Sequence, residues 1–347
     1  MRRRVLSLAS VSLLVTGLAP FVALPASATT QSTVSLTFDG GTMSQYNLGY
    51  LQALQPHGAN ATFFVNSGTV AASGNFMTWA QLSTLASAGN DIGGKSVNAT
   101  NLTTDPDPTT QVCNDRTAIL QHGLTPVGFA YPGGATNAPV KTIVKNCGYG
   151  NARTAGSLSP TGPVYAETVP PVDWYGTRAY APSAVTLANL QSLVNGASTH
   201  GGGWSQIVIG KVCSQTLDPA NYSTCSTSSG RIELADLNSF LDWMANAGQP
   251  GGAPAGAVLS TLVVGVVRLT AGAETPVPTL RLDLDWAVLA AAFGAYLREL
   301  GLIQPPATLT LHQGDDFGRP SLIEVDVRAD DTRIRVSGNA VPITALA

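Results

Sequence analysis

Charge is what this sequence has least of: Asp, Glu, Lys and Arg together make up 11% of its 347 residues, against about a quarter in ordinary soluble domains. Ser, Thr, Asn and Gly supply the polar surface instead. The formal net charge of −3 indicates no basic face, which excludes the usual electrostatic grip on nucleic acid. Histidine is also rare, occurring only at His57, His122, His200 and His312. His57 falls in the loop Pro56-His57-Gly58, His122 precedes Gly123, and His200 adjoins a glycine run. Each has an ordinary loop or helix-end setting. The four cysteines include no CxxC pair, which argues against a thiolate metal centre. What is present is 44% apolar residues in bounded runs, too many for a disordered chain.

The beginning of the chain reads as a leader. Arg2-Arg3-Arg4 precede an apolar run from Val5 to Leu24 and then Pro25-Ala26-Ser27-Ala28, so residues 1–28 are expected to be a secretory signal peptide cleaved after Ala28. The competing reading is an uncleaved anchor, since the run approaches spanning length; Pro20, Pro25 and the small-residue site favour cleavage. Loss of three arginines shifts the formal charge from −3 to −6. The expected location is secreted or envelope-associated, with no stable membrane span after cleavage. In an oxidising compartment Cys113, Cys147, Cys213 and Cys225 would form two bridges, with three possible pairings.

From residue 31 to 265, short apolar runs alternate with helix-compatible segments. Strands are expected at Val34–Phe38, Ala61–Val65, Val127–Tyr131 and Gln206–Ile209, and helices at Tyr46–Leu54, Trp79–Ala88, Val140–Asn146 and Leu234–Ala247. This is an α/β pattern of parallel strands covered by helices, open to either a doubly wound sheet or a barrel. The run Val34–Phe38 delivers Asp39 into the turn Gly40-Gly41, placing a carboxylate at a strand's C-terminal edge. Gly248 to Gly256 is a Gly/Pro/Ala-rich connector. We take 266–281 as a linker and 282–347 as a small α+β unit. In that unit Leu289, Ala292, Phe293, Tyr296, Leu297 and Leu300 mark one helix face. Ile323, Val325 and Val327 alternate with charged residues ahead of an Asp330-Asp331 turn, as in a hairpin.

Thr37-Phe38-Asp39-Gly40-Gly41 resembles the opening Thr-Phe-Asp-Asp-Gly of the NodB-type polysaccharide deacetylases. Ala61 to Gly68 is similar to that family's second strand, and Gly89 to Ala99 to its Gly-x-Glu-Ile-Gly-x-His-Thr-x-x-His motif. Phe129-Ala130-Tyr131-Pro132-Gly133-Gly134 resembles Phe-Ala-Tyr-Pro-Tyr-Gly. Trp204 to Cys213 resembles Trp-x-x-Leu-Val-Phe-His-His-Val-Cys. The resemblance implies a distorted (β/α) barrel with its site at the strand C-termini, and bridges Cys113–Cys147 and Cys213–Cys225. It implies a reaction in which a divalent metal such as zinc or cobalt activates water to remove acetyl groups from amino sugars or acylated polysaccharides.

The resemblance also assigns positions. Asp39 stands where the general base stands, and the Gly133 backbone N–H where the oxyanion donor stands. Tyr131, Asp173 and Trp174 stand in the substrate groove. The metal positions carry Gly40, Lys95 and Ala99, and the general-acid position carries Gly210 or Lys211. None of the metal positions offers a metal donor, and a lysine at its reference pKa is a poor proton donor at neutral pH. The site is therefore expected to hold no metal and to need no cofactor, with Lys95 pairing with Asp39 in the vacated cation position. The expected function is that of an exported deacetylase-family protein, inactive or strongly impaired. The alternatives are a carbohydrate-binding pseudoenzyme at the envelope or a deacetylase with a rearranged metal site. A polysaccharide or cell-wall glycan is the expected partner.

Phe293-Gly294-Ala295-Tyr296-Leu297 and His312 to Ser321 are similar to the end of the phenazine-biosynthesis isomerase family. The likeness covers one part of that fold and implies no isomerase chemistry. Unpaired strand edges would favour self-association.

Overall fold

A computed structural model describes residues 32–126, 128–169 and 171–261, together with strand backbone at 268–270, 279–281, 307–313, 321–327 and 334–339. The first strand, β1 (Ser32–Asp39), is buried on both faces, which is why it reads as an apolar run rather than an alternation. Val34, Leu36 and Phe38 pack on one side. Its polar residues are satisfied inside: Thr37 Oγ1 donates to Ile207 O at 2.8 Å, and Trp204 Nε1 donates to Ser35 Oγ at 2.9 Å.

Strands β2 (Thr62–Val65), β3 (Asp91–Gly94), β4 (Phe129–Ala130), β5 (Ala152–Ser157) and β6 (Thr177–Ala179) follow β1 in order, all parallel. After the short β7 (Ala184–Val185), β8 (Gly203–Ile209) pairs with the other edge of β1 over Ser32 to Phe38. Tyr180, just past β6, bridges to Ile207 of β8, so the sheet curls until its two ends meet. β9 (Lys211–Cys213) and β10 (Arg231–Glu233) form a small side sheet with β7. β11 (Ala257–Leu259) returns to pair with the beginning of β1. This is the distorted (β/α) barrel, with Phe38 stacked on Phe63 at 4.8 Å within the core.

Helices α1 (Trp79–Ser87), α2 (Pro108–Gln121), α3 (Ala138–Asn146), α4 (Leu187–Thr199), α5 (Pro219–Cys225) and α6 (Leu234–Ala245) connect the strands. Thr78 caps α1 in a capping box with Gln81, and Asp107, Asn137 and Thr186 cap α2, α3 and α4. The expected helix at Tyr46–Leu54 is a wider π-helix over Gln45–Leu54; the Gln55 N–H reaches back five residues to Tyr50 O at 2.9 Å. The strand expected at Val127–Tyr131 shortens to Phe129–Ala130, because Tyr131 already enters the Pro132–Gly134 turn. Val127 lies outside the described residues.

Both bridges implied by the resemblance are formed, Cys113–Cys147 joining α2 to the end of α3 and Cys213–Cys225 joining β9 to α5. Among the described residues no helix is long and apolar enough to cross a membrane. The leader 1–28, the helix face from Leu289 to Leu300 and the Asp330-Asp331 turn lie outside the described residues. The strands Ser321–Val327 and Ile334–Asn339 pair antiparallel, with Val327 opposite Ile334, in a five-stranded sheet.

Candidate functional site

Three strands bring three charges to one end of the barrel. Asp39 closes β1, Lys95 follows β3, and Arg153 is the second residue of β5. Lys95 Nζ lies 3.0 Å from Asp39 Oδ2, and Arg153 Nη2 donates to Asp39 Oδ1. The expected Lys95–Asp39 pair is thus part of a triad that sequence reasoning left one member short. Lys211, at the general-acid position, has no ion-pair partner among the described residues.

The triad is nearly dry: the Arg153 side chain is 1% exposed, and those of Asp39 and Lys95 are 13% exposed each. Burial works against the Asp39 charge, but the Arg153 guanidinium and the Lys95 ammonium outweigh it and hold the carboxyl below the usual carboxylate range. Arg153 also lies over the face of Phe64, 4.7 Å from its centroid.

The backbone around these groups is firmly held. Gly40, at φ +93°, turns the chain sharply after Asp39 and donates its N–H to Phe64 O at 2.8 Å. Gln45, fully buried, donates from Nε2 to Asp39 O at 2.7 Å and to Gly210 O at 2.8 Å, so one side chain ties the end of β1 to the β8–β9 turn. Asp115 on α2 accepts from Ser67 N, Lys95 N and Tyr149 Oη at 2.9, 3.0 and 3.1 Å. Burial pushes Asp115 up to about 6 despite these bonds. Asn66 Nδ2 holds the same loop through Lys95 O and Ser96 O.

The other expected positions are spread around this centre. Ala99 sits at φ +58° with its N–H donating to Ser96 Oγ at 3.1 Å. Gly133 is left-handed at φ +60° in the turn after β4. Tyr131, expected in the groove, is fully buried, and its hydroxyl donates to Tyr175 O at 2.9 Å; it packs beneath the rim because its ring belongs to the cluster around Phe129 and Tyr149. Asp173 is exposed and pairs with Lys141 at 2.5 Å, and Trp174 is half-buried next to it. Gly210 donates to Gly230 O at 2.7 Å, and a Cβ there would meet Ser229 O at 2.9 Å.

Arg153, Gln45 and Asp115 carried no role in the sequence reading. Arg153 lies in β5, a strand that its local sequence did not announce. Gln45 and Asp115 stand in polar stretches that carry no signal.

Parallel strands curled into a barrel, with an acidic residue at the C-terminal edge of the first, define the class: a (β/α) domain built to place chemistry on that rim. The sequence model of the polysaccharide deacetylase family matches residues 26–152, the stretch that holds β1 to β4 and the start of β5. Among solved structures, a family 4 carbohydrate esterase from Streptomyces lividans in complex with acetate is 19% identical, with 64% of this chain and 91% of that one covered at a TM-score of 0.40. Peptidoglycan deacetylase PdaC from Bacillus subtilis, as a D285S mutant, is 15% identical, with coverages of 60% and 91% and a TM-score of 0.35. The Streptococcus pyogenes deacetylase PplD, in complex with acetate, is 23% identical, with 36% of this chain covered and a TM-score of 0.34. This chain spans 56% of that protein's length. No curated protein matches the chain.

The family match corrects the expectation that no cofactor is needed, because the matched family consists of metal-dependent deacetylases. The residues at the matching positions do not fit such an ion. Gly40 and Ala99 have no donor atom, and the Lys95 ammonium stands against Asp39, where a second cation would be repelled. Among the described residues no three His, Cys, Asp or Glu side chains gather in a group that could hold a metal.

Proposed function

We propose that this protein is exported and that it is a deacetylase-family member whose hydrolytic apparatus has decayed while a glycan-binding rim remains. The observation that carries this reading is the Asp39 triad. A general base must take a proton from water, and its carboxylate must therefore be free and basic. Here each oxygen of Asp39 faces a cation, and its proton affinity is lowered rather than raised. Of the two residues at the general-acid position, Gly210 has no proton to give and the Ser229 carbonyl fills the space that a side chain would need, while a lysine such as Lys211 is a poor proton donor at neutral pH. Glycan binding is supported by Trp174, whose carbonyl accepts the Ala152 N–H beside Arg153, and by its neighbour Asp173, since an indole face and a carboxylate suit sugar hydroxyls.

The test is deacetylation of chitooligosaccharides by the protein beginning at residue 29, with zinc or cobalt added and acetate release measured. We expect no release above the buffer control. Metal-dependent release that disappears in Asp39→Asn would overturn the reading.

A further inference from the structure

The rim carries more hydrogen-bond donor capacity than its own residues use. Lys95 Nζ can donate three hydrogen bonds, and its described ion-pair partner is a single oxygen of Asp39. Arg153 offers five donors; the described acceptors are Asp39 Oδ1 and Thr154 O, the latter at 3.3 Å, and its buried Nε has no partner. Two cations therefore share one carboxylate. The other nearby acid, Asp115, is already taken up by two backbone N–H groups and the Tyr149 hydroxyl, and it pairs with neither cation. Charged donors lacking acceptors in a nearly dry site favour an incoming oxyanion over a neutral group.

Resting on the glycan-binding reading, we propose that this rim binds an acidic sugar, with the carboxylate of a uronate unit received by Lys95 Nζ and backed by the charge of Arg153. Lys95 keeps 13% of its side chain exposed, which gives the ligand an approach. The Trp174 carbonyl accepts the Ala152 N–H at 2.8 Å, which sets the Trp174 backbone one residue from Arg153. Asp39 is the opposing charge, so it weakens the anion's binding while it orients Lys95.

The same carboxylate chemistry could come from a glycan or from a free small acid, and titration calorimetry at pH 7 separates them with trigalacturonate, chitotriose and sodium acetate. Trigalacturonate should bind at least about tenfold tighter than either of the others, with the preference weakening as salt is raised. Lys95→Gln should abolish that preference, and Asp39→Asn, which removes the competing charge, should tighten trigalacturonate binding; circular dichroism checks that both variants are folded. Equal binding of chitotriose, or an unchanged trigalacturonate affinity in folded Lys95→Gln, would overturn the acidic-sugar assignment while leaving glycan binding intact. Acetate as tight as trigalacturonate would overturn the glycan as the source of the carboxylate. Absence of binding to both oligosaccharides would overturn the underlying glycan-binding reading as well.

Discussion

Replacing Arg153 by methionine measures what the buried triad contributes. Methionine keeps an unbranched stem but removes the guanidinium from Asp39 and from the face of Phe64. Deleting one partner of a buried ion pair costs about 3–5 kcal/mol, because the other charge is left in a dry site. Lys95, 3.0 Å from the second carboxylate oxygen, retains part of the compensation, so the lower end of about 3 kcal/mol is expected. In a domain of this size that lowers Tm by about 6–12 °C. The pH dependence has a definite sign. The folded Asp39 titrates below its unfolded value, so the stability it contributes is present above that value and is lost as pH falls through the folded one. In Arg153→Met the carboxyl takes up a proton at higher pH than in the wild type, which relieves the defect. The gap between the two proteins should be widest at pH 7 and narrow toward pH 4. Urea unfolding followed by tryptophan fluorescence at both pH values provides the measurement. A gap below about 1 kcal/mol at pH 7, or one of constant size down to pH 4, would refute the reasoning.

Asp115 predicts the opposite slope. Burial pushes its carboxyl up to about 6 in the fold, against about 3.9 for an ordinary Asp, so ionisation between those values lowers stability by about 3 kcal/mol. Asp115→Asn should flatten that part of the pH–stability profile, as urea midpoints at pH 4 and pH 7 would show. Gly210→His should destabilise by about 1–3 kcal/mol through overpacking against Ser229 O. Gly40→Asp finds open space and carries only the strain of φ +93°, about 1 kcal/mol, a contrast that paired thermal melts can read. Thiol titration of the unreduced, denatured protein should find none of the four cysteines free. Replacing Cys113 and Cys147 together by serine should cost about 2–5 kcal/mol in urea unfolding.

Much of the barrel was legible because its strands are buried on both faces and read as unbroken apolar runs. β1, β2 and the end of β8 fall where those runs fall, and Asp39 stands out as the acid that ends one of them. The pair with Lys95 was legible because the resemblance puts that lysine in a vacated cation position, where charge directs it to Asp39. Helix α2 escaped because its sequence, Pro-Thr-Thr-Gln-Val-Cys-Asn-Asp, is mostly polar and buries only Val112, Asp115 and Ile119. The π-helix escaped because one extra residue in a turn leaves no composition signal. Arg153 was hidden for another reason: its partner lies 114 residues away, and no local pattern reports a contact made across a barrel. Tyr131 was misplaced because a tyrosine next to a proline turn reads equally well as a groove wall or as a core ring.

β1 also has a temporal consequence. Its first three residues pair with Ala257, Val258 and Leu259, so the opening strand of the barrel waits for the closing one. A nascent chain lacking the segment near 257 would present Ser32, Thr33 and Val34 with one open edge, a ready template for the wrong neighbour. Folding can then finish only after some two hundred residues more have been delivered, which makes this a slow, non-local closure. A chaperone handling the polypeptide has that interval in which to keep the edge covered.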